Sequence, residues 1–112
     1  MLESFVRKVV QVARRFEWIR RIEIVSKGMR HVKLRLWLNS DFVEIYFNEK
    51  NGSFSYAYIE QGNRLFGANN MYIGWHWHPF GKTERHERVS KEISIEEFLK
   101  KLEDELRKRG KI

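Results

Sequence analysis

The chain has 112 residues, 42% of them hydrophobic and 14% aromatic, with no cysteine and a formal net charge of +7. That length suits one domain (residues 1–112) with one core, the apolar content excludes a disordered chain, and no stretch approaches the ~20 apolar residues of a membrane-spanning helix. Disulfides, thiolate metal sites and a thiol nucleophile are excluded as well.

The charge is unevenly placed. Residues 1–40 carry ten Lys/Arg against three acids, whereas residues 41–112 carry twelve against twelve. A localised basic surface is the electrostatic footprint of a polyanion, either nucleic acid or an acidic protein. Dense Lys, Arg and Glu without Cys also suits a thermophile's solvated surface. The opening residues Met1 to Lys8 lack the basic-then-apolar order of an export signal, so a cytoplasmic home with no membrane partner is expected.

In chain order, Leu2, Phe5, Val6, Val9, Val12, Ala13 and Phe16 recur at helical spacing and leave Arg7, Lys8, Arg14 and Arg15 outside the stripe. The spacing predicts a basic amphipathic helix over 2–17. A two-residue period follows at 21–25 and 31–38, placing Val32, Leu34, Leu36 and Leu38 on one face and His31, Lys33, Arg35 and Trp37 on the other. After a turn at Asn39 to Asp41 come strands at 42–47 and 54–59, joined through Asn51-Gly52, and a further one at 64–66 after Gln61-Gly62. Gly67 to Asn70 reads as a bulge or loop, and Met71 to Trp77 as the last strand, stopped by Pro79 and Gly81. Residues 80–91 have no apolar period and read as a charged loop. Ser94 and Glu97 form a capping box ahead of Ile95, Phe98, Leu99, Leu102 and Leu106, with Gly110 at the C-cap. The expected fold is α+β: an antiparallel meander of five or six strands flanked by an N-terminal and a C-terminal amphipathic helix.

Chemistry concentrates in Gly74-Trp75-His76-Trp77-His78-Pro79 and in His86. On an extended strand His76 and His78 point to one side, with their imidazoles about 7 Å apart. Such a pair, with His86, suits acid–base work near neutral pH or divalent metal ligation. Lys82, Arg85 and Arg88 on the same connector disfavour a divalent ion, so the expected site holds no metal and no cofactor. The same cations favour phosphodiester cleavage, in which one His takes the 2'-hydroxyl proton, a second protonates the leaving oxygen, and Arg64 and Arg85 hold the phosphate. If both helices cover one sheet face, Lys33, Arg35, Trp37, Tyr46 and Tyr72 can share the other with the histidines. Cations interleaved with aromatics suit single-stranded RNA. Those aromatics could instead fill a second core against another copy of the chain, making a homodimer. There is no Gly-rich phosphate loop, nucleophile elbow or paired carboxylate constellation, so nucleotide-dependent enzymes, serine hydrolases and typical glycosidases are set aside.

From Glu44 to Val89 the order of features resembles the TumE-like toxins of prokaryotic toxin–antitoxin pairs. The matching residues are Tyr56-Ala57-Tyr58, Gly62-Asn63-Arg64-Leu65-Phe66, Asn69-Asn70, His76-Trp77-His78-Pro79 and His86. The family carries an Asp-Asn pair where this chain has Asn69-Asn70. The resemblance implies a toxin directed at RNA or translation, restrained by an antitoxin, with Arg64, Asn70, His76, His78 and His86 at the site. The expected function is therefore a toxin-like, metal-independent ribonuclease. A nucleic-acid-binding module that breaks no bonds and a histidine metal-binding or interaction protein are the alternatives.

Overall fold

Most of the predicted periodicities become elements in the computed structural model, which describes residues 2–112. Helix α1 (Leu2–Ala13) is followed by strands β1 (Arg21–Lys27), β2 (His31–Trp37), β3 (Phe42–Asn48), β4 (Ser53–Glu60), β5 (Asn63–Asn69), β6 (His76–His78) and β7 (Glu87–Arg88), then by helix α2 (Ile95–Lys108). The strands pair antiparallel in sequence order, forming one seven-stranded meander. The α+β architecture is as expected, with one or two strands more than the sequence suggested.

Alternation decides which face the helices cover. Val32, Leu34 and Leu36 of β2 and Val43 and Ile45 of β3 are fully buried. Leu34 and Leu36 pair with Ile45 and Val43, which pair with Tyr56 and Tyr58 of β4, and these in turn with Ala68 and Phe66 of β5. Both helices lie on this side: Val9 and Val12 from α1 and Phe98, Leu99, Leu102 and Leu106 from α2 join the same core. Apolar burial on one stripe of each helix and one face of the sheet is the main stabilising contribution.

Local chemistry fixes the connections. Gln61 and Gly62 both have positive φ, 51° and 80°, the backbone of a two-residue hairpin turn whose twist matches its strands. Ser94 Oγ accepts the Glu97 N–H at 3.1 Å, and Gly110 takes φ 67° at the far end of α2, both as the capping signals require.

The departures from expectation have physical reasons. Helix α1 stops at Ala13 rather than continuing to 17, because turns there direct Phe16 and Trp18 into the core, where Trp18 Nε1 donates to Glu103 on α2 at 2.8 Å. Strand β5 runs on through Gly67 to Asn69 instead of breaking into a loop. Residues 71–75 form the turn, so β6 begins only at His76. The connector includes the short strand β7, whose Glu87 and Arg88 pair with Trp77 and His76. Trp77 faces the core, its ring nearly parallel to Phe98 at 6.0 Å. Its neighbours His76 and His78 therefore face the side that bears no helix.

Candidate functional site

Two rows of side chains cross the helix-free face, each set by strand register. One runs Lys33–Tyr46–Ser55–Asn69–His76 and the other Arg35–Glu44–Ala57–Gly67–His78. With strands about 4.8 Å apart, each row spans roughly 19 Å from β2 to β6. Cations and aromatics occupy one end, small residues the middle, and imidazoles the other end. The predicted sharing of one face by Lys33, Arg35, Trp37, Tyr46, His76 and His78 is thus what the register gives. Arg35 is engaged with Glu44 at 3.2 Å and lies over the Phe42 ring. Trp37 donates to Glu23 at 2.9 Å beneath the Arg21 guanidinium.

Tyr72 sits elsewhere than expected, on the 71–75 turn and not on the sheet. It is fully exposed and has φ 65°, a left-handed conformation costly for an aromatic residue. It lines a cavity with Tyr46, Asn70 and Met71, and a second with Arg64, Asn69, Met71, Ile73, His76, His78 and His86. This second, histidine cavity has a volume of about 280 Å³.

Within it the imidazoles converge. His76 and His78 are buried and His86 is exposed, and one ring nitrogen of each lies within 4.8 Å of the others. His76 Nδ1 donates to the Gly74 carbonyl at 2.7 Å, and His78 Nδ1 to the Thr83 carbonyl at 2.7 Å. A carbonyl oxygen only accepts, so each Nδ1 carries a proton and each Nε2 of a neutral ring presents a lone pair. The two Nε2 atoms stand 3.1 Å apart. This corrects the expected 7 Å separation, because the backbone bonds turn both rings toward each other. It also leaves no room for a phosphate between the pair, so His76 and His78 form one unit rather than an acid and a base on opposite sides of a substrate. Burial holds the His78 imidazole below the ordinary histidine range; the Thr83 carbonyl opposes this, and His76, His86 and Arg64 reinforce it.

Asn69, and not Asn70, completes the cluster. Asn69 Oδ1 accepts the Met71 N–H at 2.9 Å, which turns its Nδ2 toward His78 Nε2 at 3.3 Å. Sequence reasoning passed over Asn69 because it stands where an acid was expected. What places it there is register, its pairing with His76, two residues from Gly67, which pairs with His78.

No family model, curated protein or solved structure matches the chain.

Besides Tyr72, two expected site residues lie elsewhere. Asn70 Oδ1 accepts the Phe54 N–H at 2.8 Å and its Nδ2 donates to the Gly52 carbonyl at 2.8 Å, clasping the β3–β4 hairpin. Asn70→Ala should therefore cost about 1–3 kcal/mol of folding stability with the histidine cluster intact, as denaturant titration would measure. Arg85 is exposed, stands outside the cavity lining and has Glu87 at 3.9 Å. Arg64 does line the cavity. Gly67 beside it is small for a different reason: a Cβ there would stand 3.0 Å from the Tyr56 carbonyl, a tight contact, while meeting the Arg64 side chain at an ordinary 3.8 Å.

Proposed function

We propose that this chain is a toxin-like protein that acts on single-stranded RNA laid across the helix-free face, with one phosphate entering the histidine cavity. The observation that carries the reading is the pair of cross-sheet rows, which lead from Lys33, Arg35 and Tyr46 to His76 and His78. Bases stack on the aromatics while cations meet the phosphates, the combination that single-stranded nucleic acid needs. Arg64 pairs with the phosphate in the cavity, and the imidazole cluster takes up the proton of the 2'-hydroxyl as its oxygen bonds to phosphorus; the P–O5' bond breaks and the leaving 5'-oxygen takes a proton from water. The resemblance of residues 44–89 to TumE-like toxins supports the same target, and an acidic antitoxin suits the exposed basic side of α1. No helix among the described residues is long and apolar enough to cross a membrane.

Tyr72 provides the test. An aromatic ring held fully in solvent at a disfavoured φ, between the Tyr46 cavity and the histidine cavity, is placed for a base rather than for the core. Tyr72→Gly should release backbone strain and raise stability by about 1 kcal/mol, while weakening single-stranded RNA binding by about 1–3 kcal/mol, the usual contribution of one stacked base. Fluorescence anisotropy with a labelled RNA at several salt concentrations measures the second effect. Affinity unchanged by Tyr72→Gly, or insensitive to salt, would reject RNA as the ligand of this face.

A further inference from the structure

We infer that His76, His78 and His86 form a binding site for one divalent transition-metal ion of the zinc class. The inference rests on the geometry of the cluster and is independent of the RNA reading.

With both Nδ1 protons committed to carbonyls, the two Nε2 atoms face each other across 3.1 Å, and Asn69 Nδ2 stands 3.3 Å from that of His78. Two unprotonated nitrogens at that distance repel unless a proton or a metal ion is shared between them, and the third imidazole beside the pair favours the ion. Metal-ligating histidines characteristically have this arrangement, one ring N–H bonded to a carbonyl and the other nitrogen aimed at the ion. Two nitrogens each about 2.0–2.1 Å from a tetrahedral zinc stand roughly 3.3–3.4 Å apart, within a few tenths of an ångström of the observed pair.

His86 supplies the third ligand. It projects from the exposed connector, its ring centroid 5.1 Å from that of His76 and 4.6 Å from that of His78. Its ligand nitrogen already lies within 4.8 Å of the other two. Asn69 is not a ligand, because it presents its Nδ2 to His78 while its oxygen is turned to the Met71 N–H. Three imidazoles leave a fourth position to the cavity they line, the arrangement of open rather than structural zinc sites. An all-imidazole donor set suits zinc, cobalt, nickel and copper, and not magnesium or calcium, which require oxygen ligands.

The cations of the connector do not forbid this. Arg85 has Glu87 beside it, and exposed charges are screened by water and salt. Arg64, in the cavity wall, favours an anion in the fourth position.

The test is calorimetric titration of chelator-stripped protein with Zn²⁺ and Co²⁺, together with the visible spectrum of the Co²⁺ form. One ion per chain and the intense visible bands of tetrahedral cobalt are expected. His86→Ala, an exposed change that leaves the fold intact by circular dichroism, should weaken binding by about tenfold or more, and Asn69→Ala should weaken it less. Mg²⁺ should not compete. Absence of saturable uptake, or His86→Ala binding as tightly as the parent, would overturn the assignment. No RNA is present in these titrations, so their failure and the failure of RNA binding are separate outcomes.

Discussion

Trp77→Ala should destabilise the fold by about 3–5 kcal/mol, the usual cost of removing a large buried aromatic side chain. The ring is 5% exposed. It packs on Phe66 at 5.6 Å and on Phe98 at 6.0 Å, and the Lys101 ammonium covers it at 4.5 Å. Strand β6 is only three residues long, too short to be held by its ladder alone, so this ring is the main anchor of the histidine strand to α2. The melting temperature should fall on the order of 10–20 °C, whereas Trp77→Phe, which keeps an aromatic ring against Phe98, should cost much less. A loss below about 1 kcal/mol for Trp77→Ala in denaturant titration would mean that β6 is not docked through this contact. Because His76 and His78 flank it, Trp77→Ala should also disorder the imidazole pair before the rest of the sheet melts.

The same residue shows how far the sequence could be read. Alternation in β2 and β3 and the 3.6-residue stripe of α2 were legible because a single buried face dictates each pattern. Those two signals are enough to derive the helix-covered and helix-free faces. The 71–75 segment was not legible: Met71, Tyr72 and Ile73 are strand-like by composition, but Tyr72 and Gly74 have positive φ and the apolar side chains of Tyr72 and Ile73 point to solvent. Beyond that turn, His76, Trp77 and His78 alternate as read, so the outward facing of the imidazoles was accessible. Their convergence was not, because it depends on carbonyls of Gly74 and Thr83, which carry no side-chain signal. Asn69 and Asn70 show the same limit. Adjacent identical residues on a strand and just beyond it acquire opposite duties, one facing the imidazoles and the other clasping a hairpin, and only register separates them.

Replacing either His76 or His78 by alanine should reduce RNA cleavage by at least about 10², the lower range of what a positioned proton-transfer group contributes. The double variant should be scarcely worse than either single one, because two nitrogens 3.1 Å apart act as one unit and their losses are not additive. An acid and a base on opposite sides of the phosphate would instead lose activity in two separate steps. Lys100→Ala is the control: that side chain is exposed on α2, beside Glu96 at 3.5 Å and away from the helix-free face, and its loss should leave cleavage unchanged. Cleavage of a mixed single-stranded RNA, followed on a denaturing gel with and without chelator, also separates two origins of the proton acceptor. Activity that survives chelation assigns proton transfer to the imidazoles themselves. Activity lost on chelation and restored by Zn²⁺ assigns it to the ion they hold, and His86→Ala should then respond to added metal more steeply than Lys100→Ala. Intact RNA with the parent protein under both conditions would leave the helix-free face a binding surface, its histidine cavity holding the RNA without breaking it.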